Sequence, residues 1–329
     1  MNNISLQKPA LSALVGDIGG TNARFALVAG DGQPLAHALT LPTASFADLG
    51  QALQAYLAQV GVAAPAQACM AIANPIDGDW LRMTNTAWAF SIEETRQRLG
   101  LQSLRMLNDW EAMAMAAPTF APHELLQLGG GEPVPDAPRG LLGAGTGLGV
   151  SSLVRSRQGE WVPIAGEGGH VTLSPGNARE AGILRVLWQR WPHVSAERVI
   201  SGMGLENLHA ALAQLHGVTV PALSAADITQ GALSGQDALC MEAVEMMCVL
   251  LGRVAGNLAL TLGARGGIYI GGGVVAHLRA HLPRSGFRQA FEDKGRFADF
   301  LSRIPTWVIE AEQPALRGAA MALGVRVAA

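Results

Sequence analysis

The chain has 329 residues, of which 49% are hydrophobic and only 15% charged, and its formal net charge is −3. This length predicts about two domains, and the absence of a basic patch argues against a nucleic-acid-binding protein. No apolar run reaches the ~18 residues of a membrane span, and the segment MNNISLQKPA lacks a signal-peptide pattern. The three cysteines, Cys69, Cys240 and Cys248, form no metal-type pair. We therefore expect a cytoplasmic protein with reduced core thiols and no membrane partner.

The first third of the chain alternates short apolar runs with helical patterns. Ser91 and Glu94 have the spacing of a capping box at a helix start. The predicted elements are a strand–turn–strand at 12–28, helices at 45–60 and 91–99, and buried strands at 68–74 and 104–108. This alternation predicts a mostly parallel sheet with helices against it.

A similar pattern begins again at residue 140, after a Gly/Pro-rich loop at 129–140. GLLGAGTGLGVSSLV, at 140–154, repeats the order of residues 14–28: apolar run, glycine-rich turn, apolar run. The repeat indicates two similar halves, each opening with a glycine-tipped hairpin. Further predicted elements are helices at 178–191, 205–216 and 237–262, a strand at 266–275 that runs into three glycines, and a helix at 314–329.

Both hairpin tips suit a phosphate ligand. Backbone N–H groups of glycine turns can converge on an anion, and Thr21 and Thr146 could add hydroxyl donors. Asp17 could hold Mg²⁺ together with substrate phosphates. One hairpin alone is explained by a structural turn, whereas two of them, with the three glycines at 271–273, favour phosphate binding.

Other nucleotide-binding motifs are poorly represented. The chain contains no GxxxxGK[ST] motif, and its only lysines are Lys8 and Lys294, so backbone amides and a metal would have to neutralise the phosphates. GGGVVA, at 271–276, matches the permissive dinucleotide fingerprint, but too few residues follow it for a complete dinucleotide-binding domain.

Asn108 and Asp109 stand between a predicted strand and a predicted helix. A structural interpretation makes Asn108 the helix N-cap, with Glu111 three residues later. A functional interpretation makes Asp109 a general base at the carboxyl end of a strand, where open α/β sheets bind ligands. The two interpretations are compatible, because a helix start would also position Asp109.

The loop GEGGH presents Glu167 and His170 together among glycines. A carboxylate beside an imidazole suits a hydroxyl-rich ligand, whereas a metal site would lack a third protein ligand here. Glu197 stands next to Arg198, and from these residues alone the stronger interpretation is a helix-edge ion pair.

In their order along the chain, these segments resemble the bacterial glucokinase family, the ATP-dependent kind without a zinc motif. The resemblance extends from Leu14 to about Gly324 and rests on GDIGGTNARFAL, LNDWEAMAM, GAGTGLGV, GEGGHV, HVSAERVISG, RVAGNLAL and GFRQAFEDKGRF. The related zinc-bearing sugar kinases carry a cysteine cluster after the GEGGH-like segment, whereas here no cysteine occurs between Cys69 and Cys240.

The resemblance implies an actin-like ATPase (RNase H-like) sugar kinase fold with two α/β domains around a cleft. The small domain would comprise residues 1–119 and 310–329, and the large domain residues 120–309. The implied reaction, a step of glycolysis, converts ATP and D-glucose to ADP and D-glucose 6-phosphate, with Mg²⁺ as cofactor. A homodimer is also implied.

The resemblance also implies roles for residues. Asp109 would be the catalytic base and Asp17 would face the metal. The implied sugar-binding residues are Asn108, Asp109, Glu167, His170, Glu197 and Asn85, with Asn74 as a further candidate. The implied nucleotide-binding residues are Gly16, Asp17, Ile18, Gly19, Gly20, Thr21, Asn22, Gly145, Thr146, Gly147, Gly271, Gly272 and Gly273.

Three alternatives stay open on sequence grounds. The first is a kinase for mannose, fructose or an amino sugar, because the hydroxyl-binding set does not by itself separate epimers. The second is a non-catalytic sugar sensor, which would be expected to lose Asp109 or a phosphate loop, or to gain a DNA-binding extension. The third is an actin-like filament protein, which would not need GEGGH beside an Asn-Asp pair.

Overall fold

The structure is a computed structural model and describes residues 12–328. Its strands are β1 (Ala13–Ile18), β2 (Asn22–Val28), β3 (Leu35–Pro42), β4 (Gln67–Ile72), β5 (Trp80–Arg82), β6 (Ala89–Ser91), β7 (Ser103–Asn108), β8 (Leu125–Gly129), β9 (Arg139–Ala144), β10 (Leu148–Arg155), β11 (Trp161–Gly166), β12 (Ile268–Gly271) and β13 (Thr306–Ile309). Its α-helices are α1 (Leu49–Val60), α2 (Ile92–Arg98), α3 (Asp109–Ala116), α4 (Ala178–Leu187), α5 (Gly202–His216), α6 (Ala225–Ser234), α7 (Ala238–Leu262), α8 (Gly273–Leu278), α9 (Phe287–Glu292), α10 (Ala298–Ser302) and α11 (Pro314–Ala322).

The chain divides into two compact units. Unit 1 ends at Ala121 and resumes at Ala311, and unit 2 runs from Pro122 to Glu310. The domain limits predicted from the sequence, at 119/120 and 309/310, lie beside these positions. Among residues 12–328, no helix has both the length and the apolar character needed to cross a bilayer.

The sheet of unit 1 has the strand order β3-β2-β1-β4-β7. The first three strands of the chain form an antiparallel meander, and β4 and β7 add parallel to β1. The sequence predicted a mostly parallel sheet, whereas only half of these pairings are parallel. The reason is that short turns join β1, β2 and β3, and a parallel pairing needs a crossover of a dozen or more residues.

Helices cover both faces of this sheet because alternate strand residues point to opposite sides. On one face, Leu14 and Phe25 are buried together with Leu53 and Tyr56 of α1. The other face is covered by α11, which packs so closely on α3 that a Cβ at Gly318 would overlap the backbone of α3.

The sheet of unit 2 has the order β11-β10-β9-β12-β13-β8. It too begins with an antiparallel meander, β9 to β11, and continues with β12 and β13 parallel to β9; β8 is an additional antiparallel edge. The first five strands therefore repeat the order and directions of unit 1. This confirms the predicted pair of similar halves, each opening with a glycine-tipped hairpin.

The core of unit 2 is built around α7, a helix of 25 residues that matches the predicted 237–262. Its N-cap is Asp237, whose carboxylate accepts hydrogen bonds from the N–H groups of Leu239 and Cys240. The three cysteines are buried and unpaired, as expected for core thiols. Burial raises the pKa of Cys69 and of Cys248 to about 12, so both thiols are protonated at neutral pH.

Candidate active site

In unit 1, three neighbouring parallel strands end side by side. The register of β1, β4 and β7 aligns Ile18, Ile72 and Asn108. Asp17 stands one residue before this edge and Asp109 one residue after it. The structure therefore brings two predicted site carboxylates to the carboxyl ends of β1 and β7, with β4 between these strands. This is the edge at which open α/β sheets bind ligands.

The turn between β1 and β2 is the first predicted phosphate loop. Gly19 N–H donates to the Asn22 carbonyl oxygen at 2.9 Å, and the Thr43 hydroxyl donates to the Gly20 carbonyl oxygen at 2.7 Å. A Cβ at Gly20 would lie 2.8 Å from the Cβ of Asn85, so only glycine allows Asn85 to approach the turn. Asn85 thus lies beside this loop.

Not every residue of that predicted loop is accessible. Gly16 and Ile18 are buried within β1, where both neighbouring strands pair with them. A Cβ at Gly16 would overlap the Met70 sulfur, so the glycine serves close packing. The accessible part of the predicted loop comprises the partly exposed Asp17 and the turn residues 19–22, of which Thr21 is exposed.

Asp17 is paired with a cation that the sequence analysis did not single out. Arg24 Nη1 donates to Asp17 Oδ2 at 3.2 Å, and the Asp17 side chain is 21% exposed. Burial raises the pKa of Asp17, and the neighbouring guanidinium opposes that rise. The hairpin register supplied the signal that was missed, since Asp17 and Arg24 face each other across β1 and β2.

Asn108 and Glu111 form the predicted capping box. The Asn108 Oδ1 accepts from Trp110 N–H at 2.9 Å, and the Glu111 carboxylate accepts from Asn108 N–H at 2.9 Å. The Asn108 Nδ2 donates to the Asn74 carbonyl oxygen at 3.4 Å. A hydrogen bond from the Asn108 side chain to the Asp109 carboxylate also acts to lower the Asp109 pKa. The structural interpretation of Asn108 is therefore confirmed, and a ligand-binding role stays compatible with it.

Asp109 is the first residue of α3, and the pKa of its carboxyl group is raised. Burial raises its pKa to about 6; the hydrogen bond from Trp110 N–H opposes this rise, and the negative charge of Asp17 adds to it. A carboxylate with a pKa near neutrality is a stronger base than ordinary aspartate yet is mostly ionised at pH 7. This is the property that a general base requires.

Asn74 has a local structural role. Its Oδ1 accepts from Thr84 N–H at 3.2 Å, and its Nδ2 donates to the Pro75 carbonyl oxygen at 2.9 Å. The side chain is buried and ties the loop after β4 to the segment that carries Asn85. Asn74 thus stabilises the loop around the candidate site.

In unit 2, the turn between β9 and β10 is closed by backbone hydrogen bonds and by one carboxylate. Gly145 N–H donates to the Gly147 carbonyl oxygen at 2.8 Å. Leu148 N–H donates to Glu197 Oε2 at 2.9 Å, and a Cβ at Gly147 would overlap that same carboxylate. Thr146 is exposed at the tip of the turn.

The predicted ion pair between Glu197 and Arg198 is not what the structure shows. Glu197 turns toward the hairpin, whereas the Arg198 guanidinium lies 4.5 Å from the ring centroid of Trp191. No local pattern in the sequence indicates the contact between Glu197 and Leu148, because 49 positions separate these residues.

The three glycines after β12 lie against this second hairpin. Gly271 pairs with Gly143, and Gly272 has φ +94° with its α-carbon so close to Ala144 that a Cβ would overlap the Ala144 carbonyl. Gly273 then begins α8. The structure thus brings together the two predicted nucleotide-binding segments of unit 2, residues 145–147 and 271–273.

The GEGGH loop forms a single 3₁₀ turn, Gly168–His170, packed on β10. His170 Nε2 lies 3.9 Å from Glu167 Oε2, and His170 Nδ1 lies 4.0 Å from Glu197 Oε1. The imidazole is 60% exposed between the two carboxylates. Glu167 and His170, three positions apart, therefore form one polar cluster with Glu197, which is distant in sequence, and this cluster is open to a ligand.

Comparisons with known proteins agree on one family. The family model described as Glucokinase matches residues 14–325. The glucokinase of Chromobacterium violaceum is 51% identical over 315 residues, which cover 96% of this chain and 90% of that protein. The glucokinase of Ralstonia nicotianae is 48% identical, with 97% of each chain covered.

Solved structures give the same picture. The crystal structure of a glucokinase from an Antarctic psychrotroph matches with a TM-score of 0.89 at 36% identity, covering 95% of this chain and 98% of that one. A ROK-family glucokinase from Streptomyces griseus, solved with glucose and AMPPNP, shares the fold at 20% identity, with a TM-score of 0.61 and 95% and 99% of the two chains covered.

Proposed function

Since this chain belongs to the glucokinase family and is an ATP-dependent hexose kinase with the two-domain actin-like ATPase fold, we propose that Asp109 is the base that activates the 6-hydroxyl of glucose. The observation that carries this assignment is the Asp109 pKa of about 6 at the carboxyl end of β7. We also propose that units 1 and 2 are the enzyme's two domains.

The reaction joins the sugar oxygen to the γ-phosphorus of ATP. Asp109 takes the proton of the 6-hydroxyl as that oxygen attacks, and the bond between the γ-phosphorus and the bridging oxygen breaks to release ADP. Because phosphoryl transfer has a loose transition state, the protein contributes mainly by positioning the reactants and stabilising charge. A base with a pKa of about 6 is lost below that pH, so we expect kcat/KM to fall as the pH drops through 6.

We propose that Asp17 holds the Mg²⁺ that accompanies ATP. Mg²⁺ is usually held by one or two carboxylates, with waters and substrate phosphates as its other ligands. Asp17 fits this donor set: its carboxylate is partly exposed at the end of β1, and within residues 12–328 no three His, Cys, Asp or Glu side chains gather as a protein-only metal site. The ion supplies positive charge to the phosphates, and Arg24 keeps the Asp17 carboxylate oriented.

The phosphates of ATP would meet backbone N–H groups at the glycine turns. The proposed contacts are residues 19–22 of unit 1, and residues 145–147 and 271–273 of unit 2. These segments combine glycine, exposed threonine and close backbone approach, which are the features of anion-binding turns. Gly16 and Ile18 support the first turn from within β1.

The sugar hydroxyls would be bound by Asn108 in unit 1 and by the polar cluster Glu167, His170 and Glu197 in unit 2, with Asn85 as a further contact. Carboxylates accept hydrogen bonds from hydroxyls, and imidazole and amide groups both donate and accept. Sites built this way reject analogues that lack one hydroxyl, because a buried polar group is then left unpaired.

We further propose a cytoplasmic homodimer. The supply of ATP and the three buried thiols are compatible with the cytoplasm. For the dimer, the exposed Val162 and Ile164 on β11, an edge strand of the unit 2 sheet, offer a candidate apolar surface. Size-exclusion chromatography with light scattering, on wild type and Ile164→Asp, tests this surface.

The test of the reaction is ADP release with Mg-ATP across glucose, mannose, fructose and glucosamine. We expect release that depends on glucose, with glucose 6-phosphate as the product. Turnover with another hexose alone would keep the phosphoryl transfer and overturn the sugar assignment. Glucose binding without turnover on any sugar would instead indicate a sensor.

A further inference from the structure

The segment that carries Glu167 and His170 has little core of its own. We call residues 166–177 the sugar strap; among its residues after His170, only Leu173 is buried. Two backbone hydrogen bonds, each 3.0 Å long, tie it to the segment before Glu197: Leu173 N–H to Val194 O, and Ala196 N–H to Val171 O. Exposed segments with so few contacts are held in place only by such specific ties.

The far end of the sugar strap is held by a buried carboxylate. Glu180, on α4, is 2% exposed and accepts a hydrogen bond from Gly176 N–H at 2.6 Å. It also accepts from the Asn177 side-chain amide at 2.8 Å. Both of its oxygens lie within 2.9 Å of Arg253 Nε. The carboxylate thus joins the end of the strap directly to a cation on α7.

Arg253 comes from a firmly packed part of α7. On either side of it, Gly252 and Gly256 let the backbone of α9 approach so closely that a Cβ at either position would overlap a carbonyl oxygen. The guanidinium is 12% exposed and also pairs with Asp293 at 3.0 Å. It lies against Gly176, where a Cβ would overlap it. Arg253 therefore ties the end of the strap to a helix that is itself held by close packing.

From this geometry we infer that Glu180 and Arg253 are positioning residues for sugar binding, because they fix the strap so that Glu167 and His170 face Glu197. The inference rests on the proposed function, in which that cluster binds the sugar. Neither residue touches the cluster itself. A displacement of about 1 Å in groups that position a substrate can cost on the order of 10²-fold in rate, so a remote anchor is sufficient to matter.

A second ion pair provides a matched control. Arg179, the neighbour of Glu180 on α4, pairs with Glu242 on α7, and His216 of α5 pairs with the same carboxylate at 2.7 Å. This pair also joins α4 to α7, but within residues 12–328 its side-chain hydrogen bonds link only Arg179, His216 and Glu242 and none reaches residues 166–177. Glu242→Gln therefore weakens the contact between the helices and leaves the strap anchor intact.

The experiment compares Glu180→Gln, Glu242→Gln and His170→Asn by steady-state kinetics. We expect Glu180→Gln to raise the KM for glucose about tenfold or more, with the KM for ATP within about twofold of wild type. Glu242→Gln should leave both constants near wild type. Urea unfolding of each variant measures the structural contribution separately, since a merely structural role would change stability without this split between the substrates.

A further variant covers the case in which Glu180→Gln does not fold. Arg253→Lys keeps the charge but loses the planar fork that reaches two carboxylates, so it should raise the glucose KM by a smaller factor than removal of the carboxylate would. Wild-type glucose KM in Arg253→Lys, or equal effects of Glu180→Gln and Glu242→Gln, overturns the positioning role.

His170→Asn separates this inference from the proposed function. A raised glucose KM in His170→Asn, with a wild-type value in Glu180→Gln, overturns only the anchor. Wild-type values in both variants overturn the sugar-binding role of the strap, and the anchor with it. Raised values in both, with Glu242→Gln unaffected, support the two together.

Discussion

The glycine hairpin of unit 1 and the glycine hairpin of unit 2 stand at the same place in two sheets of equivalent strand order, but their side chains differ. In unit 1 the second residue pair from the turn is Asp17 and Arg24; in unit 2 the corresponding pair is Gly143 and Gly149. The two hairpins share their backbone pairing, but only the hairpin of unit 1 carries a charged pair at this position.

The two units also obtain their carboxylates in different ways. Unit 1 takes Asp17 and Asp109 from the ends of its own parallel strands, close enough that one raises the pKa of the other. Unit 2 has glycine at its hairpin, and a separate segment brings Glu197 to the tip. Under the proposed function, this difference would give the acid–base and metal chemistry to unit 1, and an uncharged phosphate turn beside the proposed sugar ligands to unit 2.

The largest effect that this difference between the units predicts is the loss of activity when the proposed base, Asp109, is neutralised. Asp109→Asn keeps the size of the side chain and removes its basicity, so kcat should fall by at least ~10²-fold. Product formation by a coupled ADP assay gives the rate. Glucose affinity, measured by calorimetry without ATP, should stay near wild type and serves as the control for folding. Turnover close to wild type would remove Asp109 from the mechanism.

The metal assignment predicts an effect that depends on Mg²⁺ concentration. Asp17→Asn removes the proposed ligand, and kcat/KM for ATP should fall by about 10²-fold at low millimolar Mg²⁺, since a bound ion contributes several kcal/mol to catalysis. Raising Mg²⁺ should recover part of the loss. A raised KM for glucose, with kcat/KM for ATP unchanged, would contradict this role.

A smaller effect is expected when unit 2 is perturbed at its hairpin. In Gly147→Ala the new methyl group meets the Glu197 carboxylate, so that side chain must move and the KM for glucose should rise about tenfold. Gly182→Ala on α4 is the control, because its Cβ would meet Leu215 only at an ordinary 3.6 Å. If the two variants have the same glucose KM, Glu197 is not a sugar ligand.

What the sequence predicted was mainly local. The capping box of Asn108 and Glu111, the two hairpins and the long helix α7 all follow from spacing within a few residues, and the structure confirms each of them. Local rules suffice there because the interacting groups are adjacent on one helix turn or across one hairpin.

What the sequence missed was non-local. The expected ion pair of Glu197 and Arg198 was wrong, because the Glu197 carboxylate instead accepts a hydrogen bond from Leu148 N–H, a partner far away along the chain. The share of parallel strands was overestimated, since a strand–turn–strand repeat was interpreted as part of a β–α alternation. Only the family resemblance, and not the residues themselves, pointed to a functional role for Glu197.

A prediction on stability distinguishes what Asp109 contributes to catalysis from what it contributes to folding. Burial raises the Asp109 pKa from 3.8 to about 6, so the folded protein holds this proton more tightly than the unfolded chain does. Below about pH 4 the group is protonated in both states and costs nothing. As the pH rises from 4 to 6, the unfolded chain ionises first, and the folded state loses stability relative to it.

Above pH 6 this cost is constant, and two pKa units correspond to about 2 to 3 kcal/mol. Asp109→Asn, which cannot ionise, should therefore unfold at higher urea concentration than wild type at pH 8, with the difference vanishing near pH 4. Asn108, Trp110 and the α3 cap are present in both proteins, so the comparison isolates the charge. If Asp109→Asn and wild type are equally stable at pH 8 as well as at pH 4, the site does not destabilise the Asp109 carboxylate. The raised pKa on which the proposed mechanism depends would then be absent.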